Sequence, residues 1–505
     1  MNKNILINGI QYQNVSNIKV KDAETTDLHV YRNTDDATIQ SNDIPVGKIG
    51  YGKDGKVIGT YVQPSGEIEG GINFYDQYGA WLISYSLADL PLNALPEIPA
   101  LDGAGADQYE FEWTMTLDEV NALTEEANIG VDVTAKEGAK TYIIPNELGY
   151  SGSTGAMYFY GGDEASTILI DWGDGTENTT LTINANTRAS ISHGFATKSH
   201  NPISISLTSG GEIFLGGGTG SYYLLTPSYN IGKQTAEVRI GKGIKGLSEN
   251  WVSSYSSVEK ILLHNGLYAT YAPQGTGSLI SANKIKSINI PKSFKEINTA
   301  YITSDCWALE SLYIHDGVEA SKEISYRSSL LKKFVFPKTY NTCNTTRMFY
   351  ECPILTKIKF PKNKITYTKG QINLLGNSNT ISEIDLSNCV AEKYSGMMNS
   401  CNQLRQAEVP EGVRVLDDCF ASCYNLESII LPASLESITG TNNFSSCYNI
   451  KQVIFRGTTP PTVSSSSSLL SSTNYIYKIY VPKGSLDAYA TATNLTQFAE
   501  RMVEY

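Results

Sequence analysis

The second half of the chain repeats one arrangement of apolar positions, apolar-x-x-apolar-x-apolar, usually closed by Pro. Leu426-x-x-Ile429-x-Leu431-Pro432, Leu404-x-x-Ala407-x-Val409-Pro410 and Leu355-x-x-Ile358-x-Phe360-Pro361 are three instances. The same phrase begins at Val258, Ile285, Leu309, Leu331, Ile381, Ile450 and Ile476, so ten starts are spaced 22 to 27 residues apart. A fixed period in that range predicts a stacked solenoid. A second apolar group follows the Pro, as in Pro432-Ala-Ser-Leu-Glu-Ser-Ile438 and Pro291-Lys-Ser-Phe-Lys-Glu-Ile297. Each rung therefore supplies two short strands joined by a Pro turn, with its apolar side chains inward at strand period. A single rung cannot bury that face, so neighbours must stack, and Leu426 should be fully buried.

The first half is patterned differently. Ile5 to Val20 predicts two strands around Asn8-Gly9, and Asp54-Gly55 lies between Tyr51 and Val57-Ile58 as a second hairpin turn. Ile72–Tyr75 and Ala80–Tyr85 form a further hairpin, and Thr116 with Glu119 predicts a capping box opening a short helix. Residues 139–232 alternate as strands again, with Ile168-Leu-Ile-Asp-Trp-Gly-Asp-Gly-Thr176 running into a sharp turn. Ser464–Ser468 is a low-complexity loop within a rung, and a short helix from Ser485 should cap the far end.

A length of 505 residues predicts two to four domains. The net charge of −12, with no basic run, argues against a nucleic-acid partner. The 32 Tyr, against 14 Phe and 5 Trp, suit a recognition surface, because Tyr offers apolar area and a hydroxyl at small entropic cost. The opening Met-Asn-Lys-Asn-Ile-Leu-Ile-Asn lacks a signal-peptide h-region, and no apolar stretch approaches the roughly 18 residues that would span a membrane.

All eight Cys fall between Cys306 and Cys447, none in a zinc pattern. Cys306, Cys352, Cys401, Cys423 and Cys447 each stand three residues before a phrase, where Ser328 and Ser378 stand in other rungs. Such interchange predicts a small residue packed in a turn column, with reduced, buried thiols. No catalytic motif accompanies the five His, and no cofactor is implied. Asp163, Glu164, Asp171, Asp174 and Glu177 do not follow an EF-hand spacing, so Asp174 is read as a turn residue rather than a metal ligand.

The repeats resemble the BspA-type leucine-rich repeat, whose consensus Cys-x-x-Leu-x-x-Ile-x-Ile-Pro-x-x-Val-x-x-Ile is best met by residues 423–438. Phe455-Arg-Gly-Thr-Thr-Pro-Pro461 and Ile479-Tyr-Val-Pro-Lys-Gly-Ser-Leu-Asp-Ala-Tyr489 look like that family's last rung and cap; Ser328, Ser378 and Ala282 depart from its Cys. Asp171–Thr176 with His193-x-Phe195 resembles a PKD-like β-sandwich, although Phe195 stands where that family usually has Tyr. Ile7-Asn-Gly-Ile-Gln-Tyr12 and Gly47–Thr60 look like the opening of structural proteins of phages and prophages of gut bacteria.

These readings give a mainly β protein: an N-terminal virion-attachment β module (1–65), a small α+β spacer (66–138), a PKD-like β-sandwich (139–232) and a capped leucine-rich-repeat solenoid (233–505). The resemblances imply a bacteriophage tail or surface fibre, carried on the virion, that uses its solenoid for host attachment. The expected partners are other virion proteins, a bacterial surface glycan or protein, and further copies of the chain in a trimer, with no membrane insertion. Tyr326, Tyr350, Tyr424 and Tyr448 are the expected contacts, stacking sugar on their faces, with Asn425 and Asn449 bonding hydroxyls. Alternatives are a capsid decoration or fibre shaft without a receptor, a glycan-degrading tail enzyme, and a bacterial cell-surface adhesin.

Overall fold

The computed structural model describes residues 67–217, 224–225, 230–253, 256–271, 277–343, 347–367, 371–376, 380–464 and 478–505, with the backbone of six strands between residues 3 and 58. It divides into two compact units, Met1–Ile68 and Glu69–Tyr505. The first contains three antiparallel hairpins: Lys3–Ile7 with Ile10–Val15, Asn17–Lys21 with Leu28–Arg32, and Ile49–Gly52 with Gly55–Ile58. Ile7 pairs with Ile10 across the expected two-residue turn, while Asn8, Gly9 and Asp54 lie outside the described residues.

Apart from the Ile381 rung, the described rungs of the solenoid have the two strands that the repeat predicts. The post-Pro strands form one ladder of parallel neighbours running from Ser278–Ile280 through Glu296–Ser304, Ala320–Tyr326, Arg347–Tyr350, Gln371–Gly376, Lys393–Ser395, Val415–Asp417 and Ser437–Thr439 to Thr462–Val463. The phrase strands form a second ladder in three pieces. Ser287–Ile290 pairs with Ser311–Ile314, Lys333–Val335 with Lys357–Lys359, and Gln406–Glu408 leads through Ser428–Leu431, Gln452–Phe455 and Lys478–Val481 to Met502–Glu504. The Ile381 phrase forms no strand, although Ile381 and Leu386 are buried. Leu404, Leu426 and Ile450 are fully buried, and the terminal helix Leu486–Thr491 follows Ser485.

Residues 139–232 form two sheets whose strands do not stop at the start of the repeats. Thr141–Pro145 pairs antiparallel with Thr235–Arg239, which in turn pairs parallel with Lys260–Leu262. On the facing sheet Ile213–Leu215 pairs parallel with Ile244–Ser248, and that strand with Tyr268–Tyr271. One apolar core consequently runs from Ile143 to Met502, taking in Trp172 of the sandwich, Trp251 of the first rung and Leu426 of the solenoid.

A spacer would touch its neighbours only at its ends, but residues 69–138 lie along the flank of the solenoid. Their local structure is as expected: Ile72–Tyr75 pairs with Trp81–Tyr85, and Thr116 caps Leu117–Asn121 in a capping box with Glu119. Their outer surface is complementary to the phrase strands. The Asn289 amide donates to the Val131 carbonyl at 3.0 Å, Ser311 donates to the Gly79 carbonyl at 2.6 Å, and Tyr75 stacks on Tyr313 at 5.1 Å. A Cβ at Gly79 would strike the Ile288 carbonyl and one at Gly130 the Tyr313 ring, so glycine is required at both close approaches. Lys359 pairs with Glu126 and Lys362 with Glu125, both at 2.6 Å.

Asp132 is the polar centre of this contact. Its carboxylate is 2.5 Å from Lys292 Nζ and 3.2 Å from Nδ1 of the buried His315, and it accepts from Asn265 Nδ2 at 3.1 Å. Burial acts to raise its pKa, but His315, Lys292 and Asn265 together hold it well below the usual 3.8. A carboxylate depressed on folding stabilises the fold fully above its unfolded value, and that contribution is lost as pH falls below it. Asp132→Asn should therefore lower Tm at neutral pH, with the gap to the parent narrowing as pH drops below 3.8. A gap that stays constant into acid would contradict this role.

Candidate binding surface

Six described rungs turn from the first ladder into the phrase through corners of like geometry. The residue before the Cys or Ser is left-handed in these: Asp305 (φ 52°), Arg327 (56°), Glu351 (53°), Ser400 (63°), Ser422 (60°) and Ser446 (59°). The Cys then points inward, and its thiol bonds a carbonyl of the rung before. Cys306 Sγ lies 3.6 Å from the Ile280 oxygen, Cys423 Sγ 3.1 Å from that of Met398, and Cys447 Sγ 3.0 Å from that of Phe420. Ser328 keeps the buried position differently, accepting from the Ser325 hydroxyl at 2.6 Å with Thr303 Oγ1 at 3.5 Å. A small side chain with one weak donor is what the site accommodates, which explains the Cys/Ser interchange.

All eight thiols are free and buried. Burial pushes those of Cys306, Cys389, Cys401 and Cys419 up to about 12. The adjacent Cys447 thiol, and then burial, raise that of Cys423.

The expected contact residues fall into two clusters. Tyr326 stacks between Tyr301 (5.1 Å) and Tyr350 (5.5 Å), with the Arg327 guanidinium 4.6 Å from its centroid. Arg327 also bonds Glu351 at 2.7 Å and lies 3.7 Å from Asp305. Tyr424 and Tyr448, 44% and 42% exposed, stack on each other at 5.6 Å and 17°. Much of their face area is therefore turned inward to the pair, leaving the outer faces, the edges and the hydroxyls. The Asn425 amide donates to the Asn402 carbonyl at 2.8 Å, and the Asn449 amide to the Tyr424 carbonyl at 2.9 Å. Both asparagines thus bind rung to rung, and the Asn449 amide also reaches Asn425 Oδ1 at 3.3 Å.

Sequence reasoning missed Trp307. It follows Cys306 as Tyr424 follows Cys423, and at 58% exposure it is the most exposed ring on the corner among the described residues. Its signal was the shared position within the repeat. Its indole Nε1 is 3.5 Å from Asp305 Oδ1, and no aromatic partner covers it among the described residues.

The turn at Asp171–Thr176 is internally satisfied. Asp171 accepts from the Gly173 amide at 3.0 Å, and Asp174 accepts from the Thr176 amide at 3.1 Å. His193 stacks on the buried Trp172 at 4.4 Å with Nε2 2.7 Å from Asp174, and Phe195 meets the His193 ring edge-on at 4.8 Å. Among the described residues no group of three or more His, Cys, Asp or Glu could hold a metal ion, and no helix is long and apolar enough to cross a membrane.

Residues 278–372 and 326–451 match the BspA type Leucine rich repeat region, in six copies. The chain thus carries a BspA-type leucine-rich-repeat β-solenoid. A search of curated proteins finds no match. Among solved structures the chain is similar to a leucine-rich repeat protein from Bacteroides ovatus, at 17% identity and a TM-score of 0.30 over 50% of this chain and 63% of that one. It is also similar to Pneumococcal vaccine antigen PcpA, at 14% identity and a TM-score of 0.30 over 59% of this chain and 85% of that one. The expected bacteriophage, virion and tail-fibre assignment does not stand: the family match is to a BspA type Leucine rich repeat region, which carries nothing specific to a virion. The short glycine-rich phrases behind it specify hairpin turns, which many unrelated chains need.

Thiols packed in the interior do not meet reagent in the folded chain. Alkylation of the native chain should leave all eight Cys unmodified, and unfolding should expose all eight together with no reductant required. Rapid labelling of the native chain would contradict the packed thiol column.

Proposed function

We propose that the solenoid is an attachment surface that binds a protein or a glycan through its exposed corner. One observation carries this reading. Of eight strongly exposed large apolar side chains among the described residues, four (Trp307, Leu330, Tyr424 and Tyr448) fall on the one corner that follows the Cys column. Scattered apolar residues are ordinary on a soluble surface, but an aligned set marks an interaction site. Trp and Tyr also supply most of the energy at recognition surfaces. Tyr326 and Tyr350 flank this corner, while Asn425 and Asn449 hold its rungs in register and position Tyr424 and Tyr448. The finer reading of residues 139–232 as a PKD-like sandwich is supported by the Asp171–Thr176 turn and the His193 stack, and it gives those residues a supporting role.

The full chain should be retained on arrays of extracellular proteins and glycans. The triple variant Trp307→Ala/Tyr424→Ala/Tyr448→Ala should lose that retention with Tm unchanged. Equal retention by parent and variant, or no retention of the parent on either class, would contradict the proposal.

A further inference from the structure

The corner has a charge pattern that selects among ligands. In the rungs at 306, 328, 352, 401, 423 and 447, neither of the two residues after the Cys or Ser is Asp, Glu, Lys, Arg or His. The series runs from Trp307 through Leu330, Ile354 and Gln403 to Tyr424 and Tyr448 on a chain with 90 charged residues (39 basic, 51 acidic). The charges bordering this ridge are of both signs: the exposed Glu310 and Lys332 stand where Arg405, Glu427 and Lys451 stand in their own rungs. Arg327 lies between Asp305 and Glu351, and Glu427 lies 2.6 Å from Lys451 and 3.7 Å from Arg405. Among the described residues the ridge positions themselves present neither a cation to a polyanion nor a carboxylate to a basic segment, and the charges beside them are mixed in sign.

Resting on the reading of the solenoid as a binding surface, we infer that its ligand is an uncharged linear polysaccharide lying along the corner, parallel to the solenoid axis. Trp307 and Tyr424 are five rungs apart, about 24 Å at the spacing of parallel strands. Only an elongated ligand engages both ends of the ridge at once. The corner backbone is already committed to turn and rung-to-rung hydrogen bonds such as Ser422 N to Ser445 O and Ser400 N to Ala421 O, so an extended peptide gains no strand edge there. The ridge offers ring faces, exposed amide groups and hydroxyls, which suit a pyranose with its apolar C–H face and polar rim. Trp307 presents an uncovered ring, and the Tyr424–Tyr448 pair presents the outer face of Tyr424 toward the rung of Asn402, where no ring covers it. Two anchors on one polymer raise affinity through effective concentration, so long chains bind more tightly than their fragments.

The test is affinity electrophoresis of the full chain through native gels containing, separately, soluble starch, laminarin, xyloglucan, galactomannan or yeast mannan, with hyaluronan and heparin as polyanions. Retardation by at least one neutral polymer is expected, with its trisaccharide a poor competitor. Trp307→Ala alone, and Tyr424→Ala with Tyr448→Ala, should each weaken it roughly tenfold or more at unchanged Tm, as for hot-spot residues. Retardation by polyanions alone, by no neutral polymer, or equally in parent and variants would overturn the inference. In those cases retention on the protein array would still uphold the attachment reading, and loss of both signals would end both.

Discussion

Everything in the larger unit depends on one constraint: a rung leaves its apolar face and its strand edges unsatisfied, and only the next rung can complete them. The parallel registers show how this is met, with Gln406–Glu408 bonded to Ser428–Leu431 and that strand to Gln452–Phe455, while Leu404, Leu426 and Ile450 close the interior. The same rule extends to polar groups. The thiols of Cys306, Cys352, Cys423 and Cys447 find their acceptors in the rung before, and Asn425 and Asn449 use their amides the same way. What remains free for recognition is whatever the corner carries outward. Trp307, Tyr424 and Tyr448 are therefore significant as side chains left over after the stacking requirement is met.

A solenoid must also end without presenting raw edges. At the far end this is done by Met502–Glu504 and the helix Leu486–Thr491. At the near end the sandwich does it, because Thr235–Arg239 belongs at once to an antiparallel sheet with Thr141–Pro145 and to the parallel ladder with Lys260–Leu262. Residues 69–138 then cover the flank around Asn289 and Tyr313. Asp132 pairs with Lys292 and lies beside His315, a contact that weakens as acid protonates the Asp132 carboxylate.

The repeat was legible because its period is imposed by local geometry: apolar positions recur wherever a rung turns inward. The hairpins and the Thr116 cap were legible for the same reason, each being specified within a few residues. The joining of sandwich to solenoid was not, since the pairing of Ile143 with Val238 spans 95 residues of sequence and no local pattern encodes it. Asn289 and Tyr313 occupy outward positions of their phrases and look in sequence like any solvated residue, yet they are buried under the flanking module. Of the candidate site, the Tyr424–Tyr448 pair was visible from its place beside Cys. The role of Asn425 was not, because its partner Asn402 lies one rung away. Trp307 was available by the same positional argument and was passed over for Tyr.

The central claim is that one core runs unbroken from the sandwich through the solenoid. Hydrogen exchange of the full chain with increasing denaturant tests it most directly, by comparing amides in Thr141–Pro145 and Ser166–Asp171 with those in Gln406–Glu408 and Ser428–Leu431. A shared core predicts that protection in both regions is lost at the same denaturant concentration. Loss of sandwich protection while the rungs remain fully protected, or the reverse, would show two independent cores and contradict the account.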